Sequence, residues 1–223
     1  MSESTQPDPL VLNDVRVMRG DIRLCGPLTV SIDAGQIWQI AGPNGTGKTT
    51  LLMMLAGLLP IQSGAACWRK QPPADWPTLY IGHLAGLNAA LTVQENLAFL
   101  AALGEGADCT STELLHALAM TGLAGYEQVP VARLSSGQKR RVGLARLWLP
   151  HAAPLWLLDE PMTALDVQMI ARLNQRLADH AATGGRVLLT SHQPVAVVSH
   201  VLDLALIRSH DADDTDPTAE GWT

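Results

Sequence analysis

The sequence predicts an α/β fold whose main sheet is parallel and covered by helices on both faces. Apolar segments of strand length alternate with segments of helix length along most of the chain, which is the pattern of β-α-β units. Leu155–Leu158 is a continuous apolar run, as expected of a central parallel strand that is buried on both faces. With 223 residues, 47% of them hydrophobic, the chain can form one domain with a large core.

The predicted elements begin with a β region that differs from the main sheet. Residues 11–17 and 28–32 alternate apolar and polar side chains, which predicts two strands of an antiparallel N-terminal region. Further strands are predicted at 36–41, 79–82, 155–158, 186–190 and 204–207. Helices are predicted at 49–59, 91–103, 112–119, 135–149 and 167–181, and another starts over 194–199. The helices within about 85–145 form a helical subdomain inserted in the α/β frame, with a loop at 104–108.

Composition argues against several classes of protein. The net charge is −6 and basic residues concentrate only at 139–141, so we expect no nucleic-acid partner. No apolar run approaches the roughly 18 to 20 residues of a membrane helix, and the polar N-terminus lacks a signal-peptide core. We therefore expect a cytoplasmic protein. Cys25, Cys67 and Cys109 are widely spaced, which favours buried reduced thiols over a disulfide framework or a zinc site.

The two ends of the chain are expected to lie outside the folded domain. Residues 1–9 are polar and predict a flexible leader, and residues 209–223 carry four aspartates and predict a disordered acidic tail. The folded domain is accordingly expected to span 10–208.

A glycine-rich loop between a predicted strand and a predicted helix carries the first functional motif. Residues 42–49 match the pattern GxxxxGK[ST], which predicts a P-loop NTPase fold with ATP and Mg²⁺ as ligands. Glycines let backbone amides converge on a phosphate, and the N-terminus of the helix adds its positive end. Lys48 can reach the β- and γ-phosphates, and the Thr49 hydroxyl can bind Mg²⁺. The alternative is a chance glycine turn. The predicted phosphate-binding residues are Gly42, Pro43, Asn44, Gly45, Thr46, Gly47, Lys48, Thr49 and Thr50.

Two adjacent carboxylates follow the apolar strand at 155–158. Ligands of open α/β sheets bind at the carboxyl ends of the strands, so Asp159 and Glu160 are expected at the nucleotide site. Asp159 is predicted to hold the Mg²⁺ shell, and Glu160 to polarise the water that attacks the γ-phosphate. An acidic turn after a strand is the alternative interpretation of these two residues.

A short polar motif at the start of the predicted helix 135–149 points to one family. Residues 134–138, Leu-Ser-Ser-Gly-Gln, resemble the LSGGQ signature of the ATP-binding cassette family, with Ser136 where the family has glycine. In that family the signature contacts the ATP that the opposite subunit holds. The resemblance therefore implies a head-to-tail dimer of two copies, with Ser135, Ser136, Gly137 and Gln138 facing the partner's ATP. A simple helix N-cap is the alternative, since serine is a favoured capping residue.

Two further positions match the same family. Residues 164–166, Ala-Leu-Asp, follow Glu160 at the spacing of the family's D-loop, which makes Asp166 a candidate interface residue. His192 follows the strand predicted at 186–190, as the family's switch histidine does, and the resemblance implies a hydrogen bond to the γ-phosphate. Without the other motifs, a histidine after a strand would be interpreted as ordinary surface.

Two features of the family are missing from the sequence. Residues 80–88 contain no glutamine where the family usually carries one, and His83 and Asn88 are the polar candidates in that segment. The aromatic residue that stacks on adenine is also absent. Arg19 stands where it would be expected, and a guanidinium can stack on a π-face, although a solvated arginine is an equal alternative.

Segments at 80–83, 123–130, 140–149 and 189–194 are similar to the ATPase subunits of cytochrome c maturation (haem exporter) transporters. This resemblance covers roughly residues 10–207. It implies an ATPase subunit on the cytoplasmic face of the bacterial inner membrane, bound through its helical subdomain to integral membrane subunits that handle haem. The competing hypotheses are another transporter's ATPase, a cassette ATPase acting on DNA or ribosomes, and a P-loop kinase.

Overall fold

A computed structural model of the chain describes residues 8–83, 86–103, 109–150 and 153–210, without the side chains of 208–210. Its strands are β1 (Leu10–Arg19), β2 (Ile22–Ile32), β3 (Ile37–Ala41), β4 (Ala65–Cys67), β5 (Thr78–Ile81), β6 (Leu155–Leu158), β7 (Arg186–Thr190) and β8 (His200–Asp203). Its α-helices are α1 (Lys48–Leu55), α2 (Val93–Ala102), α3 (Ser111–Met120), α4 (Ser136–Leu144), α5 (Val167–Ala182) and α6 (Leu204–His210).

The strands form two sheets of different type. Five strands make a parallel sheet in the order β5-β6-β7-β3-β8, and three make an antiparallel sheet in the order β2-β1-β4. This confirms the predicted fold class. Because the strands of the larger sheet are parallel, the residues that follow β3, β5, β6 and β7 meet at one edge.

The central strand β6 shows how the parallel sheet is buried on both faces. Leu155 and Leu157 pack into a core shared with α1 and the antiparallel sheet, whereas Trp156 and Leu158 pack on the other face with α5. All four side chains are buried. Side chains alternate between the faces of a strand, so a run of apolar residues is what a strand covered on both sides requires.

The helical part between β5 and β6 has a separate core. Apolar side chains of α2, α3 and α4 and of the turns between them form a third buried cluster. Thr92 and Thr110 begin α2 and α3 with capping boxes, in which each threonine pairs with a glutamate three residues later. The predicted loop at 104–108 lies outside the described residues.

The chain after β7 differs from the prediction. Residues 194–199 form turns instead of a helix, because the Ser199 amide binds the carbonyl of Ile37 (2.9 Å) and leads the chain into β8 beside β3. The predicted strand at 204–207 is helical, since the Asp203 carboxylate accepts the Ala205 amide (2.9 Å) and turns the chain out of the sheet. The short strand β4 was not predicted.

Two helices end four or more residues before their predicted ends, and both ends of the chain lie partly outside the described residues. α1 ends at Leu55, four residues earlier than predicted, and α4 gives way to a 3-10 turn at Ala145–Trp148. Residues 1–7 of the predicted leader and 211–223 of the predicted tail lie outside the described residues. Within the part of the chain that is described, no helix combines the length and the apolarity needed to cross a bilayer.

A buried histidine packs beneath the parallel sheet. The rings of His180 and Trp156 are stacked with centroids 3.7 Å apart, and the guanidinium of Arg176 lies 5.2 Å from the Trp156 ring. The His180 Nε2 atom is buried and has no hydrogen-bond partner. Burial and then the charge of Arg176 lower the pKa of His180 to about 4, against weaker opposing hydrogen bonds with the backbone. The ring is therefore neutral at neutral pH.

We expect His180 to make the fold sensitive to acid. Its pKa is lower in the folded state than the ordinary value of about 6.5 in the unfolded chain, so its contribution to stability is complete above that pH and falls as the pH drops towards 4. The slope from this group is up to ~1.4 kcal/mol per pH unit. Urea unfolding at several pH values should show this slope in the wild type and a shallower one in His180→Phe. Equal slopes would contradict the assignment.

Candidate nucleotide-binding site

The loop between β3 and α1 owes its shape to glycines. Gly42 and Gly47 have φ values of 133° and 97°, in the region that side chains avoid. A Cβ on Gly42 would lie 2.9 Å from Thr46 Oγ1, and one on Gly47 would lie 2.8 Å from Val17 Cγ1. The loop thus folds tightly onto the first turn of α1, where the backbone N–H groups at a helix start are open to an anion.

Lys48 holds its ammonium group across this loop. Nζ donates to the carbonyl oxygens of Gly42 (2.7 Å) and Pro43 (3.0 Å), and only 8% of the residue is exposed. A buried cation that is satisfied by two neutral carbonyls can exchange them for negatively charged oxygen, which makes stronger hydrogen bonds.

A chain of hydrogen bonds joins the loop to the ends of two strands. Thr49 Oγ1 donates to Asp159 Oδ2 (2.9 Å), and Thr190 Oγ1 donates to Asp159 Oδ1 (2.7 Å). The Thr190 hydroxyl also accepts the Glu160 amide (2.8 Å). Asp159, 3% exposed, is therefore fixed by both of its oxygens at the carboxyl end of β6. Sequence reasoning missed Thr190, and the only available signal was a polar residue at the end of an apolar strand.

Glu160 combines a strained backbone conformation with a carboxylate oxygen that has no hydrogen-bond partner. Its φ is 49°, a left-handed value that costs a residue with a side chain about 1 to 3 kcal/mol. Its Oε1 atom is buried without a hydrogen-bond partner and lies 3.5 Å from Nε2 of the largely exposed His192. Strain and an unsatisfied carboxylate at the end of a central strand are features of functional sites.

A pocket of about 500 Å³ connects these residues. Its lining consists of Arg19, Leu24, Asn44, Gly45, Gly47, Lys48, Thr49, Thr50, His83, Asp159, Glu160 and His192. Six of the nine predicted phosphate-binding residues thus line the pocket together with both carboxylates, His192 and Arg19, whereas Gly42, Pro43 and Thr46 do not line it. Of the two polar candidates that could replace the missing glutamine, only His83 lines the pocket. The Asn88 side chain instead accepts the amide of Ala90 (3.0 Å) in its own turn.

Oxygen donors suited to a magnesium ion meet at one point of this pocket. Thr49 Oγ1 and Asp159 Oδ2 are hard ligands on adjacent elements. Mg²⁺ in nucleotide sites binds one or two protein oxygens and takes its other ligands from phosphate and water, so these two atoms fit it. Among the described residues there is no group of three or more His, Cys, Asp or Glu side chains that could hold a metal by themselves.

The predicted signature residues lie away from this pocket. Ser135 and Gln138 form a capping box at the start of α4, with the Ser135 amide on Gln138 Oε1 (2.9 Å) and the Gln138 amide on Ser135 Oγ (3.2 Å). The exposed Ser136 lines a second cavity of about 500 Å³. Gly137 is packed so closely that a Cβ would lie 2.6 Å from the carbonyl oxygen of Ala164.

Asp166 is held within its own chain. Its Oδ1 accepts the Met169 amide (2.8 Å) as the N-cap of α5, and its other oxygen pairs with Arg141 of α4. The hydrogen bond from Met169 and the nearby Arg141 lower the pKa of this carboxyl, against a smaller opposing effect of burial. The segments 135–138 and 164–166 are therefore adjacent on one surface.

Sequence reasoning also missed a buried arginine behind the site. The Arg140 guanidinium is 7% exposed and donates to main-chain oxygens of Gly82 (2.7 Å), His83 (3.3 Å) and Asp159 (2.6 Å). In the sequence, Arg140 is only one member of a basic cluster at 139–141, and nothing there marks it as buried.

Comparison with known proteins agrees with this geometry. The family described as ABC transporter matches residues 25–163. The cytochrome c biogenesis ATP-binding export protein CcmA 2 of Salmonella paratyphi A is 48% identical over 192 residues, 83% of this chain and 90% of that protein. The corresponding protein CcmA of Escherichia coli O157:H7 is 45% identical over 84% of this chain and 91% of its own length.

Solved structures share the fold. The ATP-binding cassette MJ0796, solved as a dimer in a post-hydrolysis state with ADP and Pi, superimposes with a TM-score of 0.77 at 22% identity, over 87% of this chain and 94% of that one. An ATP-binding subunit of an ABC transporter gives a TM-score of 0.72 at 26% identity, over 82% and 79%. This chain is a nucleotide-binding ATPase of the ABC transporter family, in its group of cytochrome c biogenesis ATP-binding export proteins.

Proposed function

We propose that this chain powers a membrane transporter complex for cytochrome c biogenesis, by hydrolysing ATP at the pocket between β3 and β6 to drive haem export or the release of a haem-loaded chaperone. The observation that carries the hydrolytic part is the pair of carboxylates after β6. Asp159 is fixed by two hydroxyl groups, whereas the neighbouring Glu160 keeps an oxygen without a hydrogen-bond partner, near His192. The names of the relatives supply the biological setting.

ATP binding follows from the groups that line the pocket. The loop 42–47 and the first turn of α1 offer backbone N–H groups to the phosphates, and Lys48 exchanges its two carbonyl partners for phosphate oxygens. Arg19 and Leu24 line the same pocket and come from the antiparallel sheet, so they lie on the side left for the adenine. The Arg19 guanidinium supplies a planar group that can stack on the base.

Hydrolysis needs one carboxylate that is held in place and a second whose oxygen is available to the attacking water. Thr49 and Asp159 are the residues that would hold Mg²⁺, which when bound neutralises charge on the phosphates. Glu160 accepts the proton of the attacking water through its unpaired oxygen. His192, exposed and close to Glu160, donates to the γ-phosphate. Thr190 keeps both carboxylates in place through one hydroxyl group.

The position of residues 135–138 supports a dimer. They lie outside the pocket of their own chain, with Ser136 exposed, so a second copy arranged head to tail would bring Ser135, Ser136, Gly137 and Gln138 to its ATP. Asp166, on the same surface and paired with Arg141, would lie in this interface. The cassette MJ0796, whose fold this chain shares, has been solved as a dimer.

The membrane partner is proposed to bind the helical subdomain. Phe99, Leu103 and Leu115, on or next to α2 and α3, are 53%, 67% and 42% exposed, although large apolar side chains favour burial. Integral membrane subunits that handle haem would cover them and hold the chain at the cytoplasmic face of the inner membrane. The relatives' description as export proteins supports this arrangement.

Thr190 can be tested without changing the shape of the site. Thr190→Val leaves Asp159 Oδ1 and the Glu160 amide without their partner, and we expect kcat for ATP to fall about 10- to 100-fold as the carboxylates lose their alignment. Thr190→Ser keeps the hydroxyl group and should stay within a few-fold of the wild type. A fully active, folded Thr190→Val protein would show that this hydroxyl is dispensable.

Replacing Glu160 by Gln separates ATP binding from hydrolysis. Glu160→Gln should bind ATP with unchanged affinity and lose about 100-fold or more in hydrolysis, because the amide cannot accept the proton of water. The ATP-bound protein should then accumulate as a dimer, measurable by light scattering with and without ATP. Hydrolysis at the wild-type rate would reject the role of Glu160, and a monomer in saturating ATP would reject the dimer.

The biological role is tested in the native host. A strain that carries Lys48→Ala should lose c-type cytochromes, detected by haem staining of covalently bound haem, because the variant cannot hold the phosphates. Lys70→Ala, at an exposed lysine outside the pocket, is the matched control and should leave them at wild-type amounts. Normal c-type cytochromes in a Lys48→Ala strain with normal protein levels would rule out the proposed setting.

A further inference from the structure

Arg140 holds the peptide group that joins the two carboxylates of the site. This peptide consists of the Asp159 carbonyl and the Glu160 amide. Its oxygen accepts from Arg140 Nη2 at 2.6 Å, and its N–H donates to Thr190 Oγ1 at 2.8 Å. A peptide plane bound at both its donor and its acceptor cannot rotate without losing a buried hydrogen bond.

The orientation of this peptide decides where the Glu160 side chain points. Glu160 has a left-handed φ of 49°, which its neighbours must enforce because an unconstrained residue with a side chain avoids it. Rotation of the plane between Asp159 and Glu160 changes that φ directly. The hydrogen bond from Arg140 therefore stabilises the conformation in which Glu160 Oε1 is buried without a hydrogen-bond partner, 3.5 Å from Nε2 of His192.

The same guanidinium ties β6 to the segment that lacks the expected glutamine. Arg140 Nη1 donates to the carbonyl oxygens of Gly82 (2.7 Å) and His83 (3.3 Å), directly after β5. Burial lowers the pKa of Arg140, while the charges of Asp159 and Glu160 oppose that shift. Its Nη1 and Nη2 atoms donate to three carbonyls and to no carboxylate, whereas its buried Nε atom has no hydrogen-bond partner. The guanidinium therefore positions the backbone without a direct bond to either acid.

We propose that Arg140 is a positioning residue for ATP hydrolysis, which orients Glu160 through the Asp159–Glu160 peptide and links that orientation to helix α4. The inference rests on the proposed role of Glu160. α4 begins at the capping box of Ser135 and Gln138, so one rigid helix carries both the segment that faces a second copy and the group that holds the catalytic peptide. A displacement of α4 changes the hydrogen bonds of the guanidinium on two strand ends at once.

The test compares the buried Arg140 with a half-buried arginine that also donates to a main-chain carbonyl. Arg140→Gln should lower kcat for ATP about 10- to 100-fold while the Kd for ATP changes less than about threefold, because the phosphate loop is untouched. Arg146 of the adjoining 3-10 turn donates to the Tyr80 carbonyl (3.1 Å) and does not reach Asp159, so Arg146→Gln should keep kcat. These measurements use the full chain, purified from its native host together with the proteins that bind to it.

A second arm shows whether Arg140 acts through Glu160. In the Glu160→Gln background, measured by single-turnover hydrolysis, Arg140→Gln should reduce the residual rate less than about twofold, because the group it orients is already disabled. An equal loss in both backgrounds, or an Arg140→Gln protein with wild-type kcat, overturns the proposal. Glu160→Gln with a wild-type rate would instead reject the proposed role of Glu160, and the inference with it.

A third variant covers a failure to fold. If Arg140→Gln does not bind ATP, Arg140→Lys decides by the same measurements, since it keeps the charge but carries one nitrogen and cannot span the Gly82 and Asp159 carbonyls. We then expect kcat to fall about 3- to 10-fold with an unchanged Kd for ATP. A wild-type kcat for Arg140→Lys overturns the proposal in that case.

Discussion

The site depends on the two hydrogen bonds that the carboxylate of Asp159 accepts. Its two oxygens accept hydroxyl groups from Thr49 on α1 and Thr190 on β7, while Asp159 itself ends β6. Three elements from distant parts of the chain thus meet at one buried acid. A buried carboxylate is tolerated only when hydrogen bonds replace its water, so the register of β6 against β7 and the position of α1 are fixed by the same requirement.

Two buried cations belong to the same site, and their side chains donate to main-chain carbonyls in different places. Lys48 donates to carbonyls of a loop, and Arg140 donates to carbonyls at strand ends. Neither makes an ion pair with Asp159 in the described structure, whereas Glu160 Oε1 lies 3.5 Å from Nε2 of His192. The loop carbonyls can be replaced by a phosphate, whereas the carbonyls that bind Arg140 belong to residues directly after β5 and β6. Lys48 is therefore suited to binding phosphate, and Arg140 to holding the backbone.

Much of the fold was readable from the sequence, because local signals and tertiary contacts agree there. The bounds of β6 and β7 follow from apolar runs, and the phosphate loop and the two carboxylates follow from motifs in a strand-loop-helix context. The prediction failed after β7, because the structure there depends on one distant partner and on one side-chain contact with the nearby backbone. Ser199 pairs with Ile37, 162 positions earlier, and Asp203 ends the strand with its own side chain. A 3.6-residue or two-residue period carries no information on such contacts.

The site shows the same division. Residues that belong to a contiguous motif were predicted, whereas Thr190 and Arg140 were missed because they act on the backbone or the side chain of residues 30 and 19 positions away. The roles of such single buried polar residues follow from their hydrogen bonds in the folded structure and not from the sequence pattern around them. His83 and Asn88 are likewise equivalent polar candidates in the sequence. Only the folded structure distinguishes them, since His83 lines the pocket and Asn88 accepts a hydrogen bond within its own turn.

The close approach of Gly137 to Ala164 means that the two central positions of residues 134–138 have different mutational freedom. Ser136 is exposed and lines the second cavity, so its own chain leaves room for a side chain there. At position 137 even one methyl group would meet a backbone oxygen at 2.6 Å, which forces residue 164 and the turn around it to shift. Of the two positions at which the family's motif has glycine, this chain has serine at 136 and glycine at 137, where its own backbone leaves no room for a side chain.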